Sequence, residues 1–231
     1  MSSANQLDNP VYFSLAESHR VFTQEYPGAK FYRPEYCPFG AYYGRPNDDR
    51  ALKSYSELID EFYVVGEKPP HCPGLELIRE LVCCQMVLSR PIAFEPTEHI
   101  VKLESEYQKE QLFHLVNRVQ PGYFRSKTAE LGNYYGIYQD DVLIAVTGER
   151  MKMEVYTEIS AVVTHPEFTG RGFAKQLTAL TANRIFEAGK TPYLHVAEFN
   201  TTAIGLYQKL GFTERRKMSF WQLKKVNTMV K

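Results

Sequence analysis

The chain has 231 residues, a hydrophobic fraction of 44% and 27 basic residues against 27 acidic ones. That length buries a real core as one large domain or two small ones, and the balanced charge leaves no electrostatic footprint for nucleic acid or an anionic membrane. The polar start MSSANQLDNP lacks the regions of a signal peptide, and no apolar run is long enough to span a bilayer. The cysteines Cys37, Cys72, Cys83 and Cys84 have no zinc-ligand spacing. A cytoplasmic, reduced chain with buried thiols and no metal is expected.

Residues 1–94 read as a smaller α/β subdomain that packs on the rest and faces substrate. The stretch Tyr26 to Arg45 (YPGAKFYRPEYCPFGAYYGR) shows no helical or strand period and is expected to be an irregular packed surface segment. Asp48 or Asp49 caps a helix carrying Leu52, Tyr55, Leu58 and Ile59 on one side. Phe62 to Val65 and Cys84 to Leu88 are expected strands, and Arg90 to Pro96 a linker. No sequence repeat links the two parts, which leaves a shared structural plan open.

Residues 95–231 form the second expected domain, where the pattern sharpens. Ile100 to Leu103 is a strand candidate, and Ser105 with Gln108 makes a capping box for a helix with Leu112, Leu115, Val116 and Val119 on one stripe. Tyr134 to Tyr138 and Val142 to Thr147 make a hairpin turning at Asp140-Asp141. Glu158 to Val163 is a β-rich run ended by His165-Pro166. The loop Thr169-Gly170-Arg171-Gly172-Phe173-Ala174 then opens a helix with Ala174, Leu177, Thr181 and Ile185 on one face and Gly189 as its stop. Pro192 to Ala197 is a strand, Asn200 to Leu210 a short helix, and Phe212 to Leu223 a terminal strand pair or hairpin arm. The order β-α-β-β-β-α-β-α-β predicts a mixed α/β sheet with helices on its faces.

The glycine loop carries the chemistry. Two glycines at this spacing let backbone N–H groups converge on an anion at a helix N-terminus. No Gly-Lys-Ser/Thr follows, so it is not a Walker loop. A dinucleotide site with Glu198 on the ribose is a rival, but Thr164 to Thr169 is a long connection and Lys175 stands where the third glycine belongs.

Ile100 to Trp221 resembles the GNAT superfamily of acetyl-CoA-dependent N-acyltransferases. The first family signature, Arg/Gln-x-x-Gly-x-Gly/Ala, falls on Thr169, Gly172 and Ala174, with threonine in place of the usual first residue. The second is matched by Asn200-x-x-Ala203-Ile204-x-Leu206-Tyr207-x-x-Leu210-Gly211-Phe212. The C-terminal stretch is most similar to the glycine N-acyltransferase-type branch. The resemblance implies acetyl-CoA as co-substrate, a GNAT fold, and direct attack by the primary amine of a small molecule or peptide. It also implies roles residue by residue. The strand holding Val162, Val163 and Thr164 splays from the strand of Leu194 and offers backbone to the pantetheine. Gly170, Arg171, Gly172, Phe173, Ala174 and Lys175 hold the pyrophosphate, Asn200 orients the cofactor arm and Tyr207 protonates the thiolate. Tyr123, Phe124 and Arg125 fall where family members build the acceptor pocket. Glu158 matches the base position of the histone-acetylating branch and His195 that of the ribosomal-protein alanine-acetylating branch; Glu158 is the expected base, with His195 positioning or relaying. The alternative is a catalytically idle acyl-CoA sensor.

Overall fold

The computed structural model describes residues 3–226. The first half contains α1 (Pro10–Ala16), β1 (Thr23–Tyr26), β2 (Ala29–Tyr32), β3 (Phe39–Tyr42), α2 (Arg50–Tyr55), β4 (Glu61–Val65) and β5 (Leu75–Val87). The second contains β6 (Ile100–Lys102), α3 (Glu106–Val119), β7 (Tyr134–Gln139), β8 (Val142–Lys152), β9 (Tyr156–Thr164), α4 (Phe173–Glu187), β10 (Thr191–Ala197), α5 (Thr201–Lys209) and β11 (Thr213–Lys225).

Local chemistry explains the second half well. Ser105 Oγ accepts from the Gln108 N–H at 3.2 Å, and Gln108 Oε1 accepts from the Ser105 N–H at 3.0 Å, which closes the capping box of α3. Leu112, Leu115 and Val116 are its buried stripe. Asp140 and Asp141 take φ of 49° and 61°, the conformation a two-residue hairpin between β7 and β8 needs. No helix among the described residues is long and apolar enough to cross a membrane.

Three expectations change. The Tyr26–Arg45 segment contains β2 and β3, which show no alternation because all four residues of each are buried. The helix stripe to Ile59 stops at Tyr55, leaving Leu58 exposed. Of the two forms open to the terminal segment, a strand pair or a hairpin arm, it takes a single long strand, β11, and β5 begins nine residues before Cys84, because the two pair with each other along their length.

All strands belong to one mixed sheet in the order β1-β2-β3-β4-β11-β5-β10-β9-β8-β7-β6. Apart from β6, this order is a palindrome. Exchanging β1 to β5 for β7 to β11 reproduces it, with the pairing senses preserved: β3 with β4 and β9 with β10 are the parallel pairs. Each half therefore holds a βαβ unit and lends its last strand to the other. β5 lies antiparallel on β10, and β11 lies antiparallel on β4. A core of Leu15, Tyr32, Phe39, Tyr63, Cys83, Met151, Tyr193 and Phe220 crosses the seam, so residues on both sides of position 94 fill one interior.

Candidate active site

The parallel ladder between β9 and β10 runs from Thr191/Tyr156 to Leu194/Ile159 and ends there. Both strands continue, so Ser160–Thr164 and His195–Ala197 splay apart. A bulge drives the split. Gly148 of β8 faces Ser160 and Val146 faces Val163, so Ala161 and Val162 together oppose Thr147. Ala161 takes φ 51°, a conformation a non-glycine residue adopts only where surrounding packing holds it. The sequence expectation located the splay but not the bulge.

The splay opens into a cavity of about 500 Å³. Ser160, Ala161 and Val162 line it from β9, and His195, Val196 and Ala197 from β10. Asn200 and Tyr207 line it from α5, and Tyr123 and Phe124 from the chain after α3. Asn200 Oδ1 also caps α5, accepting from the Ala203 N–H at 3.1 Å. Tyr207 is buried, which raises its phenol pKa and keeps the proton on oxygen. Val163 turns its side chain into the core beneath α3, and Thr164 pairs with Ala145, so their contribution at the splay is backbone. Arg125 does not line the cavity.

The glycine turn lies beyond the C-terminal end of β9, outside the cavity lining. Gly170 and Gly172 take φ of 78° and 81°, and a Cβ on either would meet nothing within 4 Å. Backbone conformation, not crowding, demands glycine there. Gly172 caps α4, so the N–H groups of Phe173, Ala174 and Lys175 open the helix free for an anion. Phe173 packs its ring into the core, Arg171 lies over the Phe168 ring at 5.0 Å, and Thr169 Oγ1 donates to the Pro166 carbonyl at 3.1 Å.

Glu158 sits one layer behind the cavity, its side chain 1% exposed. Arg150, directly opposite on β8, grips it with Nε–H to Oε2 at 2.8 Å and Nη2–H to Oε1 at 3.1 Å. His195 Nδ1 lies 2.8 Å from Oε1. Burial alone would raise the Glu158 pKa, but the Arg150 charge and the His195 and Arg150 hydrogen bonds pull it down to about 2. Burial likewise works against the Arg150 charge, and Glu158 more than restores it. The Arg150 guanidinium lies 4.7 Å from the centre of the Phe39 ring and lines the cavity that Glu158 does not reach.

The tautomer of His195 follows from its neighbours. The Leu7 carbonyl lies 2.8 Å from Gln85 Nε2, and Arg215 Nη1–H donates to Gln85 Oε1 at 3.1 Å. These partners fix the Gln85 amide so that its nitrogen faces His195 Nε2, 3.2 Å away. Nε2 must then accept, and Nδ1–H donates to Glu158. Gln85 and Arg150 escaped the sequence reading. Arg150 stands opposite Glu158 only because the ladder shifts register between Arg150 and Lys152.

Cys83 also reaches the cavity from β5, but burial pushes its thiol up to about 12, so it stays protonated. Among the described residues no group of His, Cys, Asp and Glu is arranged to hold a metal ion.

A GNAT-family protein from Novosphingobium aromaticivorans is 32% identical over 96% of this chain and 99% of its own, with a TM-score of 0.87. This chain belongs to the GNAT family of acetyltransferases. Residues 134–221 match the FR47-like protein family. At the level of fold alone, a GCN5-related N-acetyltransferase from Kribbella flavida aligns over 100% of this chain and 98% of its own, at 15% identity and a TM-score of 0.62. A tandem GNAT protein of the clavulanic acid biosynthesis pathway aligns over 87% of this chain and 79% of its own, at 15% identity and a TM-score of 0.53. No curated protein matches the chain.

Proposed function

We propose that this GNAT protein transfers the acetyl group of acetyl-CoA to a primary amine by direct attack. The observation that carries the reading is the bulged splay of β9 from β10, which frees backbone at Ala161 and Val162 beside Tyr207. Acetyl-CoA fits this frame: the splay takes pantetheine, the open turn from Gly170 to Lys175 takes pyrophosphate, and Asn200 steadies the arm between them. Kinship with the glycine N-acyltransferase-like branch and a cytoplasmic location belong to the same reading.

The amine nitrogen attacks the thioester carbonyl carbon; the C–N bond forms and the C–S bond breaks. Tyr207 gives its phenolic proton to the departing sulfur, and His195 Nε2, on releasing the hydrogen bond from Gln85, takes the proton lost by the amine through one water. Glu158 does not serve as the base here. At a pKa of about 2, and with both oxygens engaged by Arg150 and His195, it has little proton affinity at neutral pH. Its role is to orient His195 and to stabilise the imidazolium as it forms. The protonated thiol of Cys83 leaves no covalent acyl-enzyme step in the sequence of events.

The test is release of free coenzyme A across an amine panel at varied pH. Wild type acetylates at least one amine, and His195→Gln loses the pH-dependent limb of kcat/KM. Glu158→Gln lowers turnover but keeps a limb. Normal turnover and an unchanged pH profile in His195→Gln remove histidine from the proposal. Coenzyme A binding without turnover of any amine favours the sensor.

A further inference from the structure

The acceptor end of the cavity has a charge character that the acetyl-transfer reading does not specify. Among the described residues no aspartate or glutamate lines the cavity, but Arg79 and Arg150 do. The Arg150 charge is matched by Glu158 behind it. Arg79 is different. It is exposed on β5, its Nε–H donates to Gln222 Oε1 at 2.6 Å, Tyr63 shares its hydrogen bonding, and it has no carboxylate at ion-pair distance among the described residues. Gln222 is itself held by Glu61, whose charge is felt at the guanidinium across the amide but does not touch it, so Arg79 is oriented and keeps its hydrogen-bonding edge for a ligand.

The strand that carries Arg79 forms the cavity floor. Arg79, Leu81 and Cys83 share one face of β5 at period two, and Gln85 continues that face to His195. Cys83 pairs with Ala197 at the splay, whereas Arg79 pairs with Gln222 further along β11. Four residues of strand span about 13 Å. Between the two ends the lining is apolar: Phe39, Leu81, Tyr123 and Phe220. Tyr123 stacks beside Tyr63 at 5.3 Å, and Phe220 meets Phe39 edge-on at 5.5 Å.

We infer that the acceptor is an amine carrying an anionic group at the far end of an apolar body, with Arg79 as the group that selects it. This inference rests on the acetyl-transfer reading for the position of the amine. A diamine or polyamine would place a second cation against arginines with no lining carboxylate to meet it. An α-amino acid has its amine and carboxylate on one carbon and does not bridge the floor from the splay to Arg79.

The experiment compares acetyl transfer to para-aminomethylbenzoate, para-aminomethylbenzamide, para-xylylenediamine and glycine, using wild type, Arg79→Gln and Arg79→Lys. A charge-assisted hydrogen bond predicts that wild type favours the benzoate over the benzamide by roughly ten- to a hundredfold in kcat/KM. The loss in Arg79→Gln falls on the KM for the benzoate, with kcat and the benzamide unchanged, and Arg79→Lys restores part of it. A diamine or glycine used as well as the benzoate, or a benzoate preference that survives Arg79→Gln, overturns the inference while leaving acetyl transfer standing. The transferase reading fails instead only if neither these acceptors nor the wider amine panel is acetylated. Calorimetry of the benzoate against the coenzyme A complex then decides: binding that Arg79→Gln abolishes supports the anion site, and binding that is absent or indifferent to Arg79 overturns it.

Discussion

The unit β3-α2-β4 and the unit β9-α4-β10 occupy matching places in the palindromic sheet, yet they differ at every feature that acyl transfer requires. The second has a bulge with Ala161 at positive φ, glycines at 170 and 172, a 15-residue helix α4, and α5 between β10 and β11. The first has the single positive-φ glycine Gly44 before a six-residue helix α2, and no helix between β4 and β5. The first half nevertheless furnishes a wall of the second half's cavity, through Phe39, Arg79, Leu81 and Cys83. A strand frame survives without its chemistry because backbone pairing and apolar burial maintain it, whereas an anion cradle needs particular residues at a few loop positions.

The largest effect should come from the glycine turn. Gly172→Glu puts a negative side chain and a strained backbone at the proposed pyrophosphate site, and should weaken coenzyme A binding at least about a hundredfold by calorimetry. The conformational penalty is only about 1–2 kcal/mol, so circular dichroism should stay native. Gly44→Ala, at φ 74° in the matching loop of the first half, should leave coenzyme A affinity unchanged. Equal losses from both substitutions would erase the distinction between the halves.

Next in size is Tyr207→Phe, which removes only the proton. Turnover should fall roughly ten- to a thousandfold with the KM for acetyl-CoA little changed. Normal turnover would make Tyr207 a core residue of α5 and leave protonation of sulfur to water.

Much of this contrast was legible in the chain itself. The Ser105/Gln108 box, the Asp140-Asp141 turn, the glycine loop and the short helix from Asn200 each depend on residues within a few positions of one another. What stayed hidden depends on partners far away. The strands β2 and β3 are buried on both faces and so lack a period of two. The lodging of β5 between β10 and β11 is a matter of pairing at long range, which no local pattern encodes. The same holds within the site. Glu158 looks like a base in isolation, and only the register of β8 on β9 brings Arg150 across to hold it ionised.

That pair gives a pH prediction of intermediate size. The Glu158 carboxyl titrates at about 2 in the folded chain against an ordinary value near 4.5. A lowered pKa means the charged form favours folding, so the stabilisation is complete above about pH 4.5 and disappears as pH falls through about 2. The change across that window is about 3 kcal/mol. Denaturant titrations of Glu158→Gln should lack this part of the acid sensitivity and show lower stability at neutral pH, since Arg150 is left without its counter-charge. An unchanged acid profile would mean that folding does not lower the Glu158 pKa, and would contradict the role assigned to Arg150.

The smallest effect compares two caps. Asn200→Ala and Asn9→Ala each remove a side-chain acceptor at a helix start, at a cost of about 1 kcal/mol of stability. Only Asn200→Ala should also weaken acetyl-CoA binding, by less than about tenfold. A loss of affinity from Asn9→Ala would extend the cofactor site into the first half.

The most direct measurement is a calorimetric titration of acetyl-CoA into the full chain. One molecule bound per chain is the predicted stoichiometry, because among the described residues only the β9–β10 splay has the bulge, the glycine turn and the capped helix together. Two molecules bound per chain, or none, would contradict the account.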